Sequence, residues 1–128
     1  CQLQVTELEP VSLPQNPSEK EIAAALEKEG AELLKRAKGF CIAMCIEGKQ
    51  LDSPGLAKKL EQAAQGGDSG AVTFLIGSSY GLSDAVKQRA NLRLSMSAMT
   101  FPHQLARVML LEQIYRSYQI LSGTKYHK

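Results

Sequence analysis

Three short stretches hold the residues best able to do chemistry. The first is Gly77-Ser78-Ser79-Tyr80-Gly81, a glycine-bounded turn. It is not G-x-G-x-x-G and lacks the Gly-Lys-Ser/Thr of a P-loop, so dinucleotide or nucleoside triphosphate binding finds little support. Taken alone, such a β–α turn is more often simply a turn. The second is Met96-Ser97-Ala98-Met99-Thr100-Phe101, small and apolar with no charge. Such a loop suits a ligand, or burial, better than water. The third is the ending Tyr126-His127-Lys128, which groups a phenol, an imidazole and an ammonium. His103 follows Pro102 in what reads as the first turn of a helix, where the dipole disfavours a charged imidazole. It reads as a hydrogen-bonding residue rather than a base, and a histidine in a terminal tail such as His127 is usually inert. No Ser-His-Asp or Cys-His set, paired carboxylates or metal-ligand cluster stands out. Cys41 and Cys45 lie in a strand-like run, where residues four apart sit about 13 Å from each other, too far for a disulfide. With no C-x-x-C and no nearby histidine, they read as small hydrophobes of a reduced core rather than a zinc site.

These stretches need elements to position them. Residues 3–8 alternate weakly and read as a strand, followed by an extended linker at Pro10, Pro14 and Pro17. Ser18 with Glu21 forms a capping box for a helix carrying Ile22, Leu26, Gly30, Leu33 and Ala37 at helical spacing. Gly30 inside that helix implies close backbone packing, and Gly39 ends it. Residues 40–46 (FCIAMCI) are a continuous apolar strand, as expected of one buried on both faces, and Gly48 turns the chain. Ser53-Pro54 caps a helix over 54–65 with Leu56, Ala57, Leu60 and Ala64 on one face, stopped by Gly66-Gly67. Residues 71–76 (AVTFLI) make another buried strand. Ser83 caps a short helix over 84–90, and Leu92, Leu94 and Met96 form a last strand. A long helix over 102–121 opens at Pro102, which is favoured at the first helical position. Its adjacent residues Val108, Met109, Leu110 and Leu111 cover most of the helix perimeter, so one face can pack on the chain's own core and another on a partner. The order β-α-β-α-β-α-β-α implies an α/β fold, with a mainly parallel sheet and helices on both faces. In such sheets ligands bind beyond the carboxyl ends of the strands, here residues 44–48, 76–81 and 96–101.

At 128 residues the chain is read as one domain over 1–128. No stretch approaches the roughly 18 apolar residues of a membrane span, and there is no signal-peptide pattern. The reading is therefore cytoplasmic, with no membrane partner. Cys1 in place of Met points to a missing beginning. Net charge is +2 but uneven: residues 1–83 carry 8 basic and 11 acidic side chains, residues 84–128 carry 7 and 2. A basic C-terminal half hints at an anionic partner, although an ordinary solvated surface accounts for the count equally well.

FLIGSSYGL, then LSMSAMTFPHQLARVMLLEQIYRSYQI, then the ending YHK resemble the ribosomal large subunit pseudouridine methyltransferase H family, small members of the SPOUT, or α/β-knot, methyltransferases. KEG and EGKQLDSPGLA upstream are similar to the family as well, and the likeness runs over residues 2–128. It implies a methyltransferase dependent on S-adenosylmethionine that acts on N3 of a pseudouridine in large-subunit (23S) ribosomal RNA of assembled ribosomes. It also implies a C-terminal trefoil knot and a homodimer built on the last helix. Carried over by motif, the cofactor contacts are Met44, Gly77, Met96, Ser97, Ala98, Met99, Thr100 and Phe101. There are two departures. Ser78 stands where the family shows a second glycine. The family also has a further strand and helix before the segment matching residues 3–8, so the chain is read as N-terminally shortened. Removal of the N3 proton assigns Tyr126 and His127 as candidate catalytic groups. Arg107, Arg116 and Lys128 are candidates to hold RNA phosphate or the tail. Two rival readings stand beside this one: a non-catalytic RNA- or ribosome-binding dimer that kept the fold, and a structural dimerisation domain.

Overall fold

The computed structural model describes residues 3–66 and 70–128. Cys1 and Gly67, both used in the sequence reading, lie outside them. Helix α1 (Glu19–Arg36) leads into strand β1 (Phe40–Gln50), then α2 (Ser53–Gln65), β2 (Val72–Leu75), α3 (Asp84–Arg89), β3 (Leu92–Ser95) and α4 (His103–Leu121). The three strands form one sheet in the order β2-β1-β3, with both pairings parallel. Residues 3–8 do not form a strand. They have no ladder partner, and all but Leu8 are exposed. A weak alternation carries no strand unless a sheet edge receives it.

The central strand carries two cores. Cys41 and Ala43 point to one face, where Leu75, Leu82 and Val86 join them under Leu33, Leu34 and Ala37 of the α1 region. Ile42 points to the other, with Leu56 and Leu60 of α2, Leu94 of β3 and Tyr118 of α4 packed around it. So α1 and α3 cover one face and α2 and α4 the other, as the apolar run of β1 requires. The β1–α2–β2 and β2–α3–β3 crossovers travel in opposite directions across the sheet. Placing their helices on opposite faces keeps one hand for both.

The capping box of α1 is present in full: Glu21 N–H donates to Ser18 Oγ at 3.1 Å, and Ser18 N–H donates to Glu21 Oε1 at 3.1 Å. Gly30 packs as its position implied, since a Cβ there would run into Ser83 of the α3 cap. Three local readings need correction. The N-cap of α2 is Asp52, which accepts from Gly55 N–H at 2.7 Å, while Ser53 instead donates to Gln113 Oε1 at 2.6 Å. Ala63, not Ala64, faces inward on α2. Pro102 is the N-cap of α4 rather than its first helical residue.

The largest correction is at Gly48, which lies inside a strand rather than in a turn. Leu94 of β3 is paired first with Met44 and again with Lys49, so residues 45–48 leave the ladder between two registers. A Cβ on Gly48 would stand 2.7 Å from the Arg93 carbonyl group, and only glycine lets β1 return to β3 there.

A cleft at the strand ends

The carboxyl ends of β2 and β3 and the middle of β1 open into one cleft of about 800 Å³. Its floor comes from the place where β1 leaves its register, at Met44, Cys45 and Ile46. One wall is the turn after β2, from Ile76 to Leu82. The other is the loop after β3 together with His103, Ala106 and Leu110 of α4. The volume and the mainly apolar lining suit a drug-sized molecule.

Of the residues the resemblance gave as cofactor contacts, Met44, Gly77, Met96, Ser97, Met99, Thr100 and Phe101 line this cleft. Ala98 is exposed beside it and is not part of the lining. The loop is shaped by its own hydroxyls: Ser95 Oγ donates to the Ser97 carbonyl at 3.0 Å, and Met99 N–H donates to Ser97 Oγ at 3.0 Å. Gly77 meets a tighter constraint. A Cβ on it would overlap the Gly81 backbone, because the turn folds back on itself through a Ser78–Gly81 bridge closed by Gly81 N–H to Ser78 O at 2.9 Å.

An ion pair lies in the cleft lining. Lys87 Nζ of α3 stands 2.5 Å from Glu47 Oε1 of β1, and this bond holds the Glu47 carboxyl below the usual carboxylate range. Burial pushes the neighbouring Cys45 thiol up, away from the thiolate that nucleophilic chemistry needs. The sequence reading missed Glu47 and Lys87. Forty residues apart in sequence, they carry no motif that joins them.

The tail lies outside its own chain's cleft. Tyr126 and His127 instead return to the outer side of α4. Tyr126 packs edge-on to Tyr115, with ring centres 5.0 Å apart, and the Arg116 guanidinium lies 4.9 Å from its ring centre. The Tyr126 hydroxyl donates to Glu112 Oε2 at 3.1 Å, and Arg116 Nε donates to Glu112 Oε1 at 3.0 Å. Arg116 Nη1 sits 3.1 Å from His127 Nδ1. A guanidinium only donates, so Nδ1 accepts and the ring proton belongs on Nε2. The bond to Glu112 raises the Tyr126 phenol above its ordinary value, which opposes its use as a base while docked. Of the residues assigned to RNA, Arg116 holds the tail, Arg107 is ion-paired with Glu7, and Lys128 is exposed at the end of the tail. The Glu112–Arg116 spacing was a readable helical pair; the return of the tail onto it was not.

A parallel sheet with helices on both faces and a strand-end cleft is a general α/β binding architecture, and comparison with known proteins narrows it. The family described as "Predicted SPOUT methyltransferase" matches residues 1–127, and the chain belongs to that family. It is 48% identical to ribosomal RNA large subunit methyltransferase H of Clostridioides difficile, over all of this chain and 81% of that protein. It is 49% identical to the protein of the same name in Streptococcus thermophilus, over 95% of this chain and 77% of that one. With the one in Clostridium beijerinckii it shares 47%, over all of this chain and 81% of the other. The chain is thus a methyltransferase by family. Among the described residues, no helix is long and apolar enough to cross a membrane.

Proposed function

We propose that this chain methylates N3 of a pseudouridine in large-subunit ribosomal RNA, using S-adenosylmethionine bound in the strand-end cleft. The carrying observation is that cleft: seven positions chosen by motif, from β1, the β2 turn and the β3 loop, converge on one cavity of suitable size. Identity near one half with proteins named for this activity supports the enzymatic reading over a binding module that merely kept the fold.

The residues present fit the cofactor. Met44, Met96, Ile76 and Leu110 give apolar surface for an adenosyl group, and the 77–81 turn lines the cleft beside them. The chemistry supplied by bound S-adenosylmethionine is a methyl group already activated on a sulfonium, so the chain's own task is to position and to handle one proton. The 96–101 loop that would face the cofactor holds its shape through Ser95 and Ser97. Within one chain neither Tyr126 nor His127 reaches the cleft. The proton-accepting group is therefore assigned to a tail from a second copy.

The reading accordingly includes a cytoplasmic homodimer joined through α4, assembled ribosomes as the substrate, and a trefoil knot formed by the C-terminal part. Exposed Leu105, Val108 and Tyr115 on α4 support the dimer, and family membership supports the knot. Calorimetric titration with S-adenosylmethionine tests the core of the proposal. A folded protein with no uptake contradicts it; binding followed by methyl incorporation into 23S RNA on ribosomes, and none into RNA with uridine at the target, bears it out.

A further inference from the structure

Glu29 stands on α1, about fifty residues before the turn at the cleft wall, and its two carboxylate oxygens are both engaged. Oε1 accepts from Ser78 Oγ at 2.8 Å and Oε2 accepts from Val11 N–H at 2.8 Å. Ser78 directly follows Gly77 in the turn that walls the cleft. That turn has a single bridge of its own, Ser78 with Gly81. Its other described side-chain tie reaches back to α1. The next residue of α1, Gly30, has no space for a Cβ against Ser83 and Val86, so the helix is seated tightly on the α3 cap and the height of Glu29 above the turn is fixed. A carboxylate accepting a hydroxyl proton is also among the stronger neutral-donor bonds.

We infer that Glu29 is a positioning residue for the cleft: through Ser78 it fixes the turn that carries Gly77, and so sets how tightly the cleft holds its ligand. The inference rests on the S-adenosylmethionine reading of the cleft, and it adds a control point one layer behind the residues that touch the ligand. The serine at 78 gains its meaning here, because a glycine would have no hydroxyl to donate to Glu29.

The experiment titrates wild type, Ser78→Ala, Glu29→Ala, Glu29→Gln and the Glu29→Ala/Ser78→Ala double variant with S-adenosylmethionine, recording Tm for each. Ser78→Ala and Glu29→Ala are each expected to weaken binding about five-fold, the equivalent of one ordinary hydrogen bond. The double variant is expected to bind no more weakly than Glu29→Ala, since both act through one bond. Glu29→Gln, whose amide can donate to Ser78 and accept from Val11, stays within about two-fold of wild type. Ser78→Ala binding like wild type, or losses that multiply in the double variant, overturns the inference. If wild type itself takes up no cofactor, it is the cleft reading that fails, and amide hydrogen exchange of the free protein decides the role of Glu29. Faster exchange at Gly81 in both alanine variants, with β2 unchanged, supports it; equal rates overturn it.

Discussion

Gly77 shows how one residue can serve a ligand and the fold at once. From sequence it is a strand-end glycine leaving room for a cofactor; in the structure the room is already taken by the backbone of Gly81. Even Gly77→Ala is therefore expected to cost about 1–3 kcal/mol in overpacking, read as a lower denaturant midpoint with no cofactor present. Unchanged stability would show that the turn relaxes freely. A cleaner probe of the cleft is Thr100→Trp, at an exposed lining position. It is expected to fill the cleft and abolish cofactor binding at unchanged Tm. The docked tail brings a pH dependence. Arg116 first, then the Tyr126 hydroxyl, holds the Glu112 carboxyl below its usual range. That contribution is present above the unfolded carboxylate pKa and is lost as pH falls through the depressed one. The Tyr126 phenol is raised by the same bond, so its contribution holds below the ordinary phenol pKa and is lost as pH rises through the raised one. Tyr126 ring resonances are expected to move in the acidic range, as Glu112 is protonated, and in the strongly alkaline range, as the phenol ionises. Resonances unchanged through both ranges would contradict this account. Apart from the i,i+4 spacing of Glu112 and Arg116, this was not legible beforehand, because Ser78 meets Glu29 and Tyr126 meets Glu112 only through tertiary placement.

At the scale of elements, helices were read well and strands less so. Capping boxes and 3.6-residue spacing are local signals, so α1, α2, α3 and α4 stand within a residue or two of their expected bounds. Strand identity depends on a partner, which is why residues 3–8 alternate yet pair with nothing, and why Gly48 resembles a turn in sequence but lies within β1. The apolar run at 108–111 announced two apolar sides on α4 but not which residue faces where. Seating Ser117 and Tyr118 against the core sets the roll of the helix: Leu110 is 3% exposed, while Val108 is 62% and Leu105 47% exposed. Val108→Glu is accordingly expected to give a folded monomer by sedimentation, with stability within about 0.5 kcal/mol of wild type. Leu110→Ala is expected to lose about 2–5 kcal/mol. A Val108→Glu protein that remains dimeric would move the interface off this face.

For the whole molecule, a net charge of +2 gives only weak general attraction to RNA, so a few placed groups must do the aligning. Deleting residues 126–128 is expected to lower methyl transfer by at least about ten-fold while leaving the cofactor Kd within about two-fold. A parallel fall in both would assign the tail to cofactor binding instead. Mixed dimers pairing a tail-deleted subunit with a Thr100→Trp subunit are expected to exceed both parents in activity, since one intact cleft then faces one intact tail. No recovery in a verified mixed dimer rules out sharing. The cleft itself was foreseeable from the rule for strand ends, whereas its floor, built by a central strand leaving and rejoining its neighbour, was not. The all-parallel sheet also bears on how the chain comes into being. Phe40 waits for Val72 and Ile42 for Leu92, and among the described residues no two strands are joined by a hairpin that could form early. The distant closures must come before the ladders reward them, which slows folding. On an emerging chain residues 40–43 stay unpaired until residues 72–75 have followed them, and the other edge of β1 waits for residues 92–95. The molecule is thus at its stickiest midway through its own synthesis, and the cleft is among the last features to exist.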